Sequence, residues 1–166
     1  MKILIFLMAA IGSLLGLEIH SIKADFLQEI KAEESLIKYS GKIIARADSK
    51  AYWQYDEPFA KEIFINDNRA LIYEKEFNQL IISDKIELDF LSIINSVRKN
   101  GDNWETTINS QTFTLIFKGE IPHKILYKDE LDNEIVITLK NVKLNEKIDS
   151  ETFKFKIPDN TDIIYQ

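Results

Sequence analysis

The stretch KAYWQYDEP, residues 50–58, is where the reading of this chain turns. In an extended chain successive side chains face opposite sides. Ala51, Trp53 and Tyr55 therefore share one face, while Tyr52, Gln54 and Asp56 share the other. Asp56, Glu57 and Pro58 end the strand, because proline has no N–H to give to a ladder. Two large aromatics on one face either seal a core or line a pocket, and the alternation alone leaves both readings open.

The flanking sequence is of the same kind. YSGKIIARAD (39–48) precedes this strand, and KEIFIND (61–67) follows it, ended by the turn-forming Asn66, Asp67 and Asn68. ALIYE (70–74) is its hairpin partner and NQLIIS (78–83) a further strand. Beyond residue 104 come ETTIN, TFTLIFK, HKILYK, EIVITLKNVKL and TFKFKI, with Asp132–Asn133 marking one turn and Gly119 and Pro122 another. Phe113, Leu115 and Phe117 alternate onto one face, as do Phe153, Phe155 and Ile157, which is the pattern of half-buried antiparallel sheet.

Two segments change period. SIKADFLQEIKAEE (21–34) opens on Ser21, a good N-cap, and repeats Ile22, Phe26 and Ile30 every four residues, so a short amphipathic helix is expected. In DKIELDFLSIINSVRKNGDNW (84–104), Ile86, Phe90, Ile93, Ile94 and Val97 fall on one helical face, with Gly101 as the stop. About ten short strands must curl or close, and the apolar helical stripes need a surface to cover. The expected fold is a mostly antiparallel α+β domain.

Composition narrows the function. With a net charge of −6, the chain lacks the basic footprint of a nucleic-acid binder. It has no cysteine, and its two histidines, His20 and His123, show no metal-ligand spacing. No phosphate-binding glycine loop, nucleophile elbow or zinc motif appears. Acidic pairs such as Glu33–Glu34 and Asp56–Glu57 could serve as acid and base, but a solvated acidic surface accounts for them as well. No enzyme, cofactor or metal is expected. What stands out is a surplus of rings, ten Phe, six Tyr and two Trp.

The first sixteen residues, MKILIFLMAAIGSLLG, have one positive charge at Lys2, an apolar run, and small residues near Gly16. That is the layout of a cleaved signal peptide, and the run is short of the roughly 20 apolar residues that span a bilayer. Residues 17–166 are then the mature, single domain, and loss of Lys2 takes its charge from −6 to −7. LLGL (14–17) resembles a bacterial lipobox with Leu17 in the place of the lipidated cysteine. Without a thiol there is no thioether-linked anchor, and a released, periplasmic protein is expected.

Taken together, the stretch 24–84 resembles the periplasmic outer-membrane lipoprotein carrier family, LolA. The resemblance is carried by the F-x-Q of Phe26 and Gln28, by Gly41 twelve residues before Trp53, and by the W-x-Y-x-x-P of Trp53, Tyr55 and Pro58. The I-Y of Ile72 and Tyr73 and the later Gln79 follow. A closing F-x-F-x-x-P, Phe153, Phe155 and Pro158, with Asp162 beyond it, resembles the C-terminal signature. The resemblance implies an unclosed half β-barrel with a lid of short helices over an apolar cavity. It implies a soluble carrier that takes triacylated lipoproteins from an ATP-driven inner-membrane release complex and hands them to an outer-membrane acceptor. A monomer is expected. Ala51, Trp53 and Tyr55 would face the acyl chains, with Phe26 and Ile30 on the first helix and Phe90, Ile93 and Ile94 on the second as lid contacts.

The sequence departs from the family pattern at one position. The family commonly places Arg-Pro six residues after the glycine, where the arginine holds the lid shut. Here that position is Ala47, followed by Asp48, and Arg46 stands one residue early. On a regular strand it faces the other way unless a bulge restores its aim. Arg46 is a candidate latch, with a solvated strand arginine as the alternative. The rival functions are a periplasmic module that binds or senses another envelope lipid on the same fold, and a hydrolase using acid pairs.

Overall fold

The computed structural model describes residues 18–84 and 89–166, so the expected signal segment 1–16 and the stripe residue Ile86 lie outside the described residues. The described residues form a twelve-stranded sheet. Its strands are β1 (Ser21–Ala32), β2 (Ser35–Arg46), β3 (Lys50–Glu57), β4 (Lys61–Asn66), β5 (Arg69–Glu74), β6 (Gln79–Ser83), β7 (Arg98–Asn100), β8 (Asn103–Ile108), β9 (Gln111–Lys118), β10 (Ile121–Lys128), β11 (Glu134–Leu144) and β12 (Asp162–Tyr165). Among the described residues there is one α-helix, α1 (Phe90–Ser96), between β6 and β7 in the chain. The spatial order is β12-β6-β5-β4-β3-β2-β1-β11-β10-β9-β8-β7. Every pairing is antiparallel except β12 on β6, which is parallel.

The sheet curls without closing. Five interstrand steps separate β2 from β8, which would put them about 24 Å apart in a flat sheet. Yet the single short α1 packs against both. The inner face of the curl is therefore a trough, with α1 lying in it.

Three expectations are corrected. Residues 21–32 form strand β1, not a helix. A spacing of four is a multiple of two as well as close to 3.6, so Ile22, Phe26 and Ile30 also fall on one face of a strand. Pairing with β2 on one side and β11 on the other decides the matter. Ser21 is not an N-cap; it is buried, and its hydroxyl donates to the Glu146 carbonyl at 2.6 Å.

The helix expected to run to Gly101 stops at Ser96. Val97 is extended, Arg98–Asn100 pair with β8, and Gly101 serves the hairpin turn at φ +61°. Glycine marks a left-handed backbone, which hairpins use as readily as helix ends do.

Finally, TFKFKI is not a strand. Ser150–Phe153 is one 3₁₀ turn, from which Phe153 and Phe155 pack on the outer face of the sheet. The Phe155 ring lies 5.2 Å from Phe64 and 5.1 Å from Tyr73, and Phe153 is fully buried. The strand the sequence did not announce, β12, completes that edge.

Candidate functional site

The inner face follows from register. Cross-strand partners share a face, and Phe26 pairs with Gly41, Ala24 with Ile43, Ile43 with Trp53, Gly41 with Tyr55, and Ala45 with Ala51. Ala51, Trp53 and Tyr55 thus stand side by side with Phe26 and Ile30 on the inner face. The structure corrects the setting of Phe26 and Ile30: they belong to the floor of the trough, beneath α1, and not to a lid helix.

Phe26 is the centre of the floor. Its ring meets Trp53 edge-on at 5.1 Å and Tyr55 at 5.0 Å, while Trp53 and Tyr55 stack at 6.3 Å. Room for the Phe26 ring comes from Gly41, opposite it. A Cβ on Gly41 would lie 1.8 Å from the Gln54 carbonyl oxygen and 3.1 Å from the Phe26 ring. The register slips between Ser40 and Gly41, which brings the β3 backbone close at this point.

The roof is α1. Asp89 caps it, its carboxylate accepting from the N–H groups of Leu91 (2.9 Å) and Ser92 (3.1 Å). Phe90, Leu91, Ile93 and Ile94 are buried beneath it, with Phe90 edge-on to Trp53 at 5.2 Å. The far wall is Phe113, Leu115, Ile125, Ile135, Ile137 and Leu139, supplied by β9, β10 and β11. In this state the apolar side of α1 fills the trough.

Polar groups fasten the roof. The Asn95 side chain forms a two-way pair with the Ile19 backbone, its oxygen accepting from Ile19 N (3.0 Å) and its amide donating to Ile19 O (2.9 Å). Ser96 and Thr106 hydroxyls meet at 3.0 Å, joining α1 to β8. Arg46 takes no part in this. Its register partner is Lys50, one step from the inward Ala45–Ala51 pair, so it lies on the outer face. There it donates to Asp48 (2.7 Å twice), the Ile148 carbonyl (3.2 Å) and Ser150 (3.2 Å), and lies over the Phe153 ring at 5.2 Å. No bulge turns it inward, and its contacts hold the C-terminal segment rather than α1.

Burial grades along the trough. Ile22, Ala45 and Ala51, at the Arg46 end, are buried, whereas Ile30, Tyr39, Trp53, Tyr55 and Tyr127, towards the other end, are only partly so. That second end is the mouth. Tyr55 donates to Gln28 at 3.1 Å, and the Lys61 ammonium lies 4.7 Å from the Tyr55 ring and 5.7 Å from Tyr39. Burial pushes the Tyr55 and Tyr127 phenols up, so both stay neutral.

The inner face is apolar and aromatic, and among the described residues no group of three or more His, Cys, Asp or Glu gathers as a metal site would need. The site residues that sequence reasoning missed are Leu91, Asn95 and the wall of Leu115, Ile125, Ile137 and Leu139. The wall was legible as alternation but not as facing Trp53 across a trough. Asn95 carried a faint signal, as an amide directly after the apolar pair Ile93–Ile94.

No family model matches the chain. The outer-membrane lipoprotein carrier protein of Helicobacter pylori (strain HPAG1) is 38% identical over 151 residues, spanning 89% of this chain and 82% of that protein. The outer-membrane lipoprotein carrier protein of Campylobacter jejuni subsp. jejuni serotype O:2 is 36% identical over 161 residues, 93% of each. Among solved structures, a LolA superfamily protein from Nitrosomonas europaea superposes with a TM-score of 0.54 at 12% identity, covering 81% of this chain and 90% of that one. An uncharacterized conserved protein from Thermus thermophilus does so with a TM-score of 0.54 at 12% identity, covering 91% and 93%. At such identities the likeness is one of fold.

Proposed function

The chain belongs to the outer-membrane lipoprotein carrier protein (LolA) family, and from that premise we propose that it is a periplasmic carrier that shields lipoprotein acyl chains in the trough beneath α1. It takes triacylated lipoproteins from an ATP-driven release complex in the inner membrane and passes them to an outer-membrane acceptor. Ala51, Trp53, Tyr55, Phe26 and Ile30 form the acyl-chain floor, and Phe90, Ile93 and Ile94 are the contacts that the acyl chain displaces. The observation that carries this reading is the aromatic floor around Phe26 with an apolar helix seated on it.

Energetics favour partial shielding. A buried methylene is worth about 0.8 kcal/mol, so one sixteen-carbon chain is worth roughly 12 kcal/mol. Three would give about 36 kcal/mol, beyond the roughly 18–21 kcal/mol ceiling of non-covalent complexes. A carrier must also release its cargo, so displacement of α1 offsets part of the gain and hand-over runs downhill to a more apolar acceptor.

The test incubates the mature protein with vesicles holding the release complex, a triacylated lipoprotein and ATP. Cargo is expected in the soluble fraction, bound one-to-one, only when ATP and the carrier are both present. The Trp53→Glu variant is expected to fold and to leave cargo in the membrane. Release of a labelled phospholipid or glycolipid in place of cargo would move the function to another envelope lipid. Unfolding of Trp53→Glu would return Trp53 to a purely structural role.

A further inference from the structure

Large exposed apolar side chains gather at one end of the sheet. Because consecutive strands reverse direction, the turns β5–β6, β3–β4, β1–β2 and β10–β11 all lie at the same end, the mouth end of the trough. Phe77 (67% exposed), Phe59 (66%) and Leu131 (81%) stand on the first, second and fourth of these, and Leu36 (55%), the second residue of β2, adjoins the third; the β8–β9 turn, Asn109–Ser110, lies at this end too and carries no such side chain. Among the described residues, the turns 47–49, 67–68 and 101–102 at the opposite end carry no such side chain; Ile121 (45% exposed), beside 119–120, and Tyr165 (76%), at the end of β12, are the exceptions there. Neighbouring hairpins place their tips two strands, or about 10 Å, apart. The apolar tips therefore form a row with charged residues between them.

Such a row suits a bilayer better than a protein. A protein interface needs a contiguous, closely packed apolar centre, which side chains about 10 Å apart cannot offer. A fluid bilayer admits each one separately. Just inside the row stand Tyr39, Tyr55 and Tyr127, with Lys61 over the first two rings. Tyrosine and snorkelling lysine are the side chains that settle at the level of lipid headgroups. The turns also hold an excess of acid, Glu33 and Glu34 on one and Asp129, Glu130 and Asp132 against Lys128 on another, which disfavours an anionic surface.

We propose that Leu36, Phe59, Phe77 and Leu131 form a membrane-contact rim, which sets the mouth of the trough against a zwitterionic bilayer. Its purpose rests on the acyl-carrier reading above, but its existence does not. Contact is transient, weaker than the roughly 10⁴ M⁻¹ of a single myristoyl chain.

Residues 17–166, without cargo, are co-sedimented with phosphatidylcholine–phosphatidylethanolamine vesicles, with and without phosphatidylglycerol, at low salt. The expected result is binding that falls as phosphatidylglycerol is added. It should drop about tenfold or more in the quadruple variant Leu36→Ser, Phe59→Ser, Phe77→Ser, Leu131→Ser, with the unfolding transition unchanged because all four side chains are exposed. The double variant Phe59→Ser, Leu131→Ser serves if the quadruple one misfolds. Absence of vesicle binding, or binding equal in the variants, overturns the proposal. So does a shift from dimer to monomer on substitution without an effect on vesicles, which would make the rim a self-interface. Rim binding that persists while cargo is never released from donor membranes would sink the carrier reading and leave the rim standing.

Discussion

Phe90→Ala tests whether α1 is a lid or a fixed piece of core. Four side chains of α1 are buried, each worth about 1.5–3 kcal/mol, so seating the helix gains roughly 6–12 kcal/mol. Ordering its seven residues costs about 1–2 kcal/mol apiece, roughly 7–14 kcal/mol, which nearly cancels that gain. The helix is held by a surplus of about 3–5 kcal/mol from the Asp89 cap and the Asn95 and Ser96 contacts. Removing the Phe90 ring, edge-on to Trp53 at 5.2 Å, is expected to cost about 3–5 kcal/mol of that seating. At 1.4 kcal/mol per tenfold, the open population should rise by roughly a hundredfold or more. Native-state amide exchange reads this directly. The Ile93 N–H, bonded to the Asp89 carbonyl at 3.1 Å, should exchange faster by that factor, while β1 and β2 amides keep their protection. A hydrophobic dye should bind the exposed floor. If instead all amides lose protection together, in step with a global stability loss of about 3–5 kcal/mol, α1 opens only by unfolding and the lid reasoning fails.

Three further outcomes are expected. Asn95→Ala should speed opening of α1 by about tenfold, the worth of one or two hydrogen bonds, and Asn95→Asp, which keeps only the acceptor towards Ile19 N, should do the same; exchange of α1 amides checks both. Gly41→Ala should destabilise the protein by about 3 kcal/mol or prevent folding, since the new methyl meets the Gln54 carbonyl at 1.8 Å; denaturant unfolding measures it. Hydrogen bonds from Arg46, and then from Lys50, hold the Asp48 carboxyl well below the usual carboxylate range. Its contribution is therefore complete above the unfolded value of about 3.9 and is lost as pH falls from there through the depressed folded value. Docking of residues 148–153 should be insensitive to pH from neutrality down to about 4 and loosen below it. Asp48→Asn should loosen it already at neutral pH and abolish the acid transition, as followed by exchange across Ser150–Phe153.

The strands were legible wherever a run alternates and a turn residue punctuates it, because the period of two and the turn chemistry are local properties. β3 to β6 and β8 to β11 follow that rule, and Ala51, Trp53 and Tyr55 share a face by it. Segment 21–32 reads as a helix because a four-residue spacing satisfies both periods; only the two neighbours of β1, one of them more than a hundred residues away, choose between them. The same holds for Gly101 and for TFKFKI, whose local patterns fit a helix end and a strand but whose partners in space make them a hairpin turn and a cover for the outer face.

What the sequence determined by itself is the inventory and the sidedness: many short strands, rings alternating onto one face, an apolar stripe at 90–97, and the spacing of motifs that marks the family. The tertiary structure alone decided what those faces meet. That Phe26 is floor and not lid, that Arg46 grips the C-terminal segment, that Asn95 reaches Ile19, and that four hairpin tips bring Leu36, Phe59, Phe77 and Leu131 to the mouth all depend on pairings across long separations in the chain. The curl of a sheet is the sum of such pairings, and no window of local sequence contains it.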